Sequence, residues 1–143
     1  MARLRYAVRP AAALVVVLFL AGCPKVASFD PIAFEQTKGL KAQALALMDR
    51  AGEPYAEHRV DVDTLRARLA RAYAREQGRP SNERTLQQWG ILMAPQGHLL
   101  AGFLALWERR SVLDEAFIDV ARVQVADAFD EILGLENGKL RGD

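Results

Sequence analysis

Apolar residues recur at intervals of three and four, with charged residues between them, from about residue 30 to residue 136. This spacing is typical of amphipathic α-helices. No segment of useful length alternates apolar and polar residues with the period of two that strands show. The pattern therefore predicts an all-α fold, a compact antiparallel bundle of four to five helices, because short connections between helices favour antiparallel neighbours.

Helix 1 is predicted over residues 31–51. Asp30 is its expected N-cap, because an aspartate side chain accepts hydrogen bonds from the free amides of the first turn, and Pro31 suits the first helical position. Phe29 and Phe34 are spaced to pack against each other and to set the direction in which the chain enters the helix.

Glycine and proline delimit the next three helices. Helix 2 lies between Pro54 and Gly78, helix 3 follows Ser81 as its N-cap, and helix 4 covers residues 97–110. Helix 4 is apolar or small nearly all round, which is typical of a buried helix. Gly102 would let a neighbouring helix approach closely, so we expect helix 4 at the centre of the bundle.

Helix 5 has the clearest amphipathic pattern in the chain. It begins at Asp114 as N-cap and ends at Gly134 or Gly138, and acidic residues lie off its apolar side. That apolar side consists of Phe117, Ile118, Ala121, Val125, Ala128, Phe129 and Ile132.

The start of the chain has the layout of a bacterial signal peptide. Three arginines and no acid precede an uninterrupted apolar run over residues 11–21. As a helix this run would rise roughly 16 Å against the roughly 30 Å of a bilayer's hydrocarbon core, so we expect its removal rather than a permanent span. Cys23 follows directly. As the only cysteine, it excludes an intramolecular disulfide and a multi-cysteine metal site.

The residues Leu20-Ala21-Gly22-Cys23 resemble the lipobox of bacterial lipoproteins. The resemblance implies that a signal peptidase recognises Leu20, Ala21 and Gly22 and cuts before Cys23. It also implies a diacylglyceryl group on the cysteine sulfur and an acyl chain on the new amine, which anchor the protein stably in a membrane. No other cofactor is expected. In this family an aspartate after the cysteine favours the inner membrane; Pro24 stands there, which favours the outer membrane and a periplasm-facing domain.

The charge balance excludes nucleic acid as a partner. Lys and Arg number 19 in the whole chain, and removal of the leader with its three arginines leaves 16 against 18 acidic residues, a net charge of −2. The linker before helix 1 reaches about 20 Å at most, so the domain works close to the membrane. The predicted divisions are signal peptide 1–22, lipidated cysteine and linker 23–29, bundle 30–136 and polar tail 137–143.

Four arginines form a basic stripe along helix 2: Arg68, Arg71, Arg75 and Arg79. On a membrane-tethered domain they would allow docking on anionic headgroups, where each charge near the surface contributes on the order of 1 kcal/mol. The alternative is a solvated face whose charges are partly neutralised by acids of helices 1 and 5.

Sequence motifs for catalysis are absent. The chain lacks a glycine-rich phosphate loop, a GxSxG elbow and an HExxH motif, and neither histidine has the Glu-x-x-His spacing of di-iron bundles. Glu57, His58 and Asp61 share a helical face, but beside the start of helix 2 they are expected to meet solvent, so no metal site is predicted. Trp89 and Trp107 lie on apolar stripes and are expected in the core.

The segments NERTLQQW and LLAGFLALW resemble small uncharacterised helical lipoproteins of Gram-negative bacteria, a likeness that implies no activity. We therefore expect a non-enzymatic lipoprotein whose bundle binds another envelope protein as an accessory module. The alternative is a carrier or sensor that holds an apolar ligand inside the bundle, with the two tryptophans as lining. A cavity of about 300 Å³ or more would favour the alternative, and a filled core would favour the accessory module.

We expect intact-mass spectrometry of the protein from its native membrane to find a chain that begins at Cys23 and carries three acyl chains. The reason is that lipobox processing joins acylation of the sulfur to cleavage before the cysteine. A bare thiol at Cys23, or residues 1–22 still attached, would contradict the lipoprotein hypothesis.

Overall fold

The computed structural model describes residues 26–141, so the predicted leader and lipobox lie outside the described part of the chain. Within that part the fold is all-α, as predicted, and none of its helices has the length and apolar character that a membrane crossing requires. The elements are α1 Pro31–Met48, α2 Tyr55–Gln77, α3 Glu83–Leu92, α4 Leu100–Arg110, α5 Glu115–Gly138 and a 3-10 turn η1 Lys139–Arg141.

The predicted starts of the first and last helices are confirmed. The Asp30 carboxylate accepts hydrogen bonds at 2.9 and 3.1 Å from the amides two and three residues later. The rings of Phe29 and Phe34 pack with their centroids 5.9 Å apart. The Asp114 carboxylate accepts a hydrogen bond from the amide of Phe117 at 3.3 Å. Each helix is therefore started by contacts within its own first turn.

Three helix ends differ from the prediction. Helix α1 ends at Met48 rather than at residue 51, because the chain turns there and the Ala51 amide bonds back to the Met48 carbonyl at 3.0 Å. The N-cap position of α3 is Asn82 rather than Ser81, whose φ of 58° lies in the left-handed region. Helix α4 begins at Leu100, three residues later than predicted.

Neighbouring helices run antiparallel. Asp30 and Lys41 of the α1 segment bond to Glu136 and Asp130 of α5, so the start of α1 lies beside the end of α5. The pairs Asp30 with Arg75 and Gln43 with Arg68 give the same direction for α1 and α2. The α3 and α5 pair is also antiparallel, since Asn82 at the start of α3 meets Lys139 just after α5.

Helix α4 is buried or half-buried from Leu100 to Trp107, as its apolar composition predicted, but α1 and α5 rather than α4 make the most extensive backbone approaches to other helices, which corrects its predicted central position. Helix α5 packs against both α1 and α3, and α1 packs against both α5 and α2, whereas α4 makes its main backbone approach to α2. The reason is that α4 is only 11 residues long and its last turn, Glu108–Arg110, is exposed.

Both tryptophans are buried in a filled core, as predicted. Trp107 packs edge-on against Tyr55, with centroids 5.5 Å apart, and its indole N–H donates to the Glu53 carbonyl at 3.1 Å. Trp89 packs edge-on against Phe129 at 6.4 Å, and its indole N–H has no partner among the described residues. The largest fully buried side chains are Trp89, Trp107, Phe103, Phe129, Met48, Leu65, Leu92, Leu100, Leu104, Ile132, Val62 and Val125.

Gly102 is required by a close approach within its own segment rather than by a neighbouring helix. A Cβ atom at this position would lie 1.7 Å from the carbonyl oxygen of Gly97, in the loop that precedes α4. No side chain can occupy that space unless the loop moves. The glycine therefore allows the loop to fold back against the first turn of α4.

Gly102→Ala should lower the free energy of unfolding by about 1–3 kcal/mol, because the added methyl group must displace backbone. Gly90→Ala is the matched control within α3. Nothing lies within 4 Å of its Cβ position, so the change should stabilise the helix by up to about 1 kcal/mol. Urea unfolding followed by circular dichroism measures both. Equal effects of the two substitutions would contradict the assigned contact.

Candidate functional site

Four charged side chains and one amide meet in the interior at one end of the bundle. We call this set the charge cluster: Glu76, Arg79, Asn82, Glu136 and Lys139. The Arg79 guanidinium donates to both oxygens of Glu136, at 2.8 and 2.9 Å, and to Glu76 at 2.8 Å. The Lys139 ammonium donates to Glu136 and, at 2.7 Å, to the Asn82 side-chain oxygen. Two positive charges thus balance two negative ones, the arrangement that buried ions require.

The charge cluster also holds the segment that precedes α1. The Asp30 amide donates to Glu136 at 2.7 Å, and the Arg79 guanidinium donates to the Ser28 carbonyl at 2.6 Å. The Ala27 amide donates to the Ser81 carbonyl at 3.0 Å. The chain is therefore bonded to the bundle from Ala27 onward. The covalent distance from Cys23 to Ala27 is about 14 Å at most, shorter than the reach expected for the whole linker.

Opposite charges and hydrogen bonds favour the ionised forms of Glu136, Arg79 and Asp30. Burial by itself raises the pKa of Glu136, but hydrogen bonds from Arg79, Lys139 and the Asp30 amide outweigh it and hold that pKa below its ordinary value. The hydrogen bond to Glu136 raises the pKa of Arg79. Burial likewise raises the pKa of Asp30. The hydrogen bond from Arg75, together with those from the Ala33 and Ile32 amides, outweighs burial and holds the pKa of Asp30 below its ordinary value.

Three of the four arginines predicted as a basic stripe line a groove of about 350 Å³ between α1 and α2, which we call the arginine groove. Arg79 is not among them, because it lies beyond the end of α2 and faces the charge cluster. The residues that line the arginine groove are Gln36, Leu40, Arg68, Arg71, Ala72 and Arg75.

At the start of α2 the structure brings Glu53, rather than Asp61, to Glu57 and His58, with ligand atoms within 4.8 Å of one another. The Glu53 carboxylate lies 2.7 Å from His58 Nε2 and 3.1 Å from the Arg50 guanidinium. These contacts already satisfy the carboxylate. We therefore infer no metal site from this group.

The solvent-facing side of α5 carries an apolar patch, which we call the α5 apolar face: Phe117, Val120 and Val123. Their exposed fractions are 42%, 60% and 59%. The spacing of three places them along one side of the helix. Phe117 was predicted in the core, but its ring instead stacks at the surface on Phe103, with centroids 6.0 Å apart. Single exposed apolar residues are ordinary, whereas three on one side of one helix make this face a candidate interaction surface.

Sequence analysis missed the charge cluster, although a signal was present. Glu76 and Glu136 occupy positions where the apolar sides of α2 and α5 would continue. Glu136 follows the buried Ile132 by four residues, and Glu76 follows the buried Leu69 by seven, which is two helical turns. The structure also extends the last helix past the predicted end of the bundle at residue 136. Helix α5 runs to Gly138 and Lys139 is buried, because its ammonium meets Glu136, so the first part of the predicted polar tail belongs to the bundle.

The chain matches no protein-family model, no curated protein and no solved structure. Its function is therefore inferred from three features: the charge cluster that holds the segment before α1, the arginine groove and the α5 apolar face. The predicted lipidation residue Cys23 and the recognition residues Leu20, Ala21 and Gly22 lie outside the described residues.

Glu136→Gln should lower the free energy of unfolding at neutral pH by about 3–5 kcal/mol, because it leaves the cations of Arg79 and Lys139 buried without their shared carboxylate. The pKa of Glu136 in the folded state lies below its ordinary value of 4.5. Its stabilising contribution is therefore complete above pH 4.5 and is lost as pH falls through the folded-state pKa, and the variant should lack this component.

Urea unfolding over a pH series measures the effect. Glu131→Gln is the matched control, since Glu131 lies on the same helix and is exposed. The control should change stability by less than about 0.5 kcal/mol. A similar loss in both variants would contradict the role of the charge cluster.

Proposed function

We propose that the protein is a lipid-anchored accessory protein of the bacterial cell envelope, whose non-enzymatic bundle binds another envelope protein. The lipobox-like residues that end at Cys23 support the anchor. The observation that carries the binding function is the α5 apolar face. Its exposed side chains contrast with the filled core beneath it.

The bonded segment before α1 supports a defined orientation at the membrane. With about 14 Å of chain between Cys23 and Ala27, the end of the bundle that contains the charge cluster lies next to the bilayer. Helix α5 ends at that cluster and begins at the opposite end of the bundle. Phe117 lies 19 residues before Glu136, so the α5 apolar face starts roughly 28 Å from the charge cluster. On a protein anchored in the outer membrane, the α5 apolar face would therefore lie away from the bilayer and face the periplasm.

The surroundings of the α5 apolar face favour a protein partner. Asp119 and Asp127 are exposed acidic residues beside the three apolar side chains, and neither forms an ion pair within residues 26–141. An apolar centre with a charged rim is the usual anatomy of a protein interface. A partner with apolar side chains bordered by lysine or arginine would fit it.

A non-enzymatic role is supported by where the perturbed ionisable groups lie. In an active site, shifted pKa values accompany side chains that face a cleft. Arg79 and Asp30 do line an open groove of about 670 Å³ beside the segment before α1, but the pKa shifts of Arg79 and Glu136 arise from their contacts with each other, which already use both side chains. The carboxylate of Glu53 similarly bonds to His58 and Arg50.

The alternative, an apolar ligand held within the bundle, receives less support. Its expected lining residues, Trp89 and Trp107, are fully buried against Phe129 and Tyr55. The larger grooves of the described chain are lined by other residues and open to the surface, among them one of about 670 Å³ beside the segment before α1. A filled core favours the accessory module.

A photo-crosslinking amino acid at position 120 of the full-length, membrane-bound protein should capture one discrete protein partner in the native envelope. Position 60 is the matched control, since Val60 is an even more exposed valine, at 78%, but lies on α2. Val120→Glu should abolish capture by the same crosslinker placed at position 123, because a carboxylate in the apolar contact must be desolvated. Val60→Glu should leave that capture intact.

Mass spectrometry of the crosslinked bands provides the measurement. The same bands from positions 120 and 60 would overturn the proposal, and so would crosslinks to phospholipid alone. A second copy of this chain as the captured protein would replace the accessory role by self-association.

A further inference from the structure

We propose that the arginine groove binds a phosphate ester, that of an anionic lipid headgroup at the membrane surface. This inference deepens the proposed function, because it rests on a domain held close to a bilayer. It concerns a different surface from the α5 apolar face.

The lining of the arginine groove has the chemistry of a phosphate site. Arg68, Arg71 and Arg75 project from one side of α2, three and four residues apart. A guanidinium group offers paired N–H donors that match two oxygens of a phosphate. Leu40 and Ala72 supply apolar surface beside these donors, which suits the glycerol and upper acyl part of a lipid.

The charges of the arginine groove are not balanced by the protein. Among residues 26–141, Arg75 meets one carboxylate, that of Asp30 at 2.8 Å, and Arg68 donates to the neutral side-chain amide of Gln43. Arg71 forms no ion pair or side-chain hydrogen bond in this part of the chain, and the α1 wall presents Gln36 rather than an acid. Three like charges face one carboxylate, so a bound anion would lower their mutual repulsion.

Comparison with Arg79 shows that the arginines of the predicted stripe differ in how far carboxylates of the protein neutralise them. Arg79 belongs to the same predicted stripe, but two carboxylates neutralise it within the charge cluster. Arg79, which is part of the interior, pairs with the carboxylates of Glu76 and Glu136. The other three arginines together meet only one carboxylate, that of Asp30.

The arginine groove begins at the membrane-proximal end of the bundle. Arg75 bonds to Asp30, which is seven residues after Cys23, and Asp30 is itself bonded to Glu136 of the charge cluster. Arg68 lies about 10 Å further along α2. A lipid headgroup at the bilayer surface therefore contacts Arg75 first, and Arg71 and Arg68 lie progressively farther from the membrane along α2.

The test uses the full chain in an uncharged detergent and three probes: short-chain phosphatidylglycerol, short-chain phosphatidylcholine and inorganic phosphate. Calorimetric titration at low salt should show binding of phosphatidylglycerol and at least about tenfold weaker binding of phosphatidylcholine, and added salt should weaken both. Arg68→Gln with Arg71→Gln should weaken phosphatidylglycerol binding by at least about tenfold.

Arg109→Gln with Arg110→Gln is the matched control, because it removes two exposed charges from the end of α4. This control should leave affinity within about twofold of the parent. Arg68→Lys with Arg71→Lys keeps both charges but loses the paired donors, and it should retain part of the binding. If the double glutamine variant does not fold, Arg71→Gln alone provides the measurement, since this exposed side chain has no partner in the described chain.

The probes also distinguish two sources of phosphate. Displacement of the lipid by inorganic phosphate at a similar concentration would assign the groove to free phosphate esters. Weak displacement would assign the groove to lipid headgroups. Either result supports a phosphate site. Equal weakening by the groove and control variants, or no binding at low salt, would overturn the inference. Crosslinking at position 120 is independent of this titration, so failure of the phosphate site leaves the proposed partner binding standing.

Discussion

The bidentate ion pair between Arg79 and Glu136 is the contact on which the arrangement of this bundle depends. It joins the connection after α2 to the end of α5, and through Asp30 and Ser28 it fixes the segment before α1. Burial of such ions costs several kcal/mol each and is offset only when every donor and acceptor is used. The pair therefore specifies one packing of these three segments more than it adds net stability.

Because of this contact, the two ends of the bundle differ in polarity. The end with the charge cluster is polar, bonded to the segment that follows Cys23, and close to the arginine groove. The opposite end presents the start of α5 with its uncovered apolar side chains. In the proposed function the basic surface would face a bilayer and the apolar one a protein partner, and the bonded segment before α1 fixes which end of the bundle follows Cys23.

The four arginines of the predicted stripe show how tertiary contacts divide identical side chains between the interior and the surface. Arg79 lies where two acids converge and becomes part of the interior. Arg68 and Arg71 lie where α1 contributes glutamine, and they remain exposed with their charge uncompensated. The sequence spacing of three or four residues is alike for all four, but Arg79 lies beyond the end of α2 and faces a different set of side chains.

The sequence by itself determined the all-α class, the starts of α1 and α5 and the burial of both tryptophans. These depend on helical periodicity and on hydrogen bonds within one turn, as between Asp30 and the amides that follow it. Tertiary structure alone decided that Glu136 is buried, that α4 is not central and that Phe117 is exposed. Glu136 and Asp30 are 106 residues apart, and neither residue's neighbours in the chain predict such a contact. Hydrogen bonds within one helical turn can be predicted from neighbouring residues. Compensation of a buried charge cannot, because it depends on which distant segment packs against that charge.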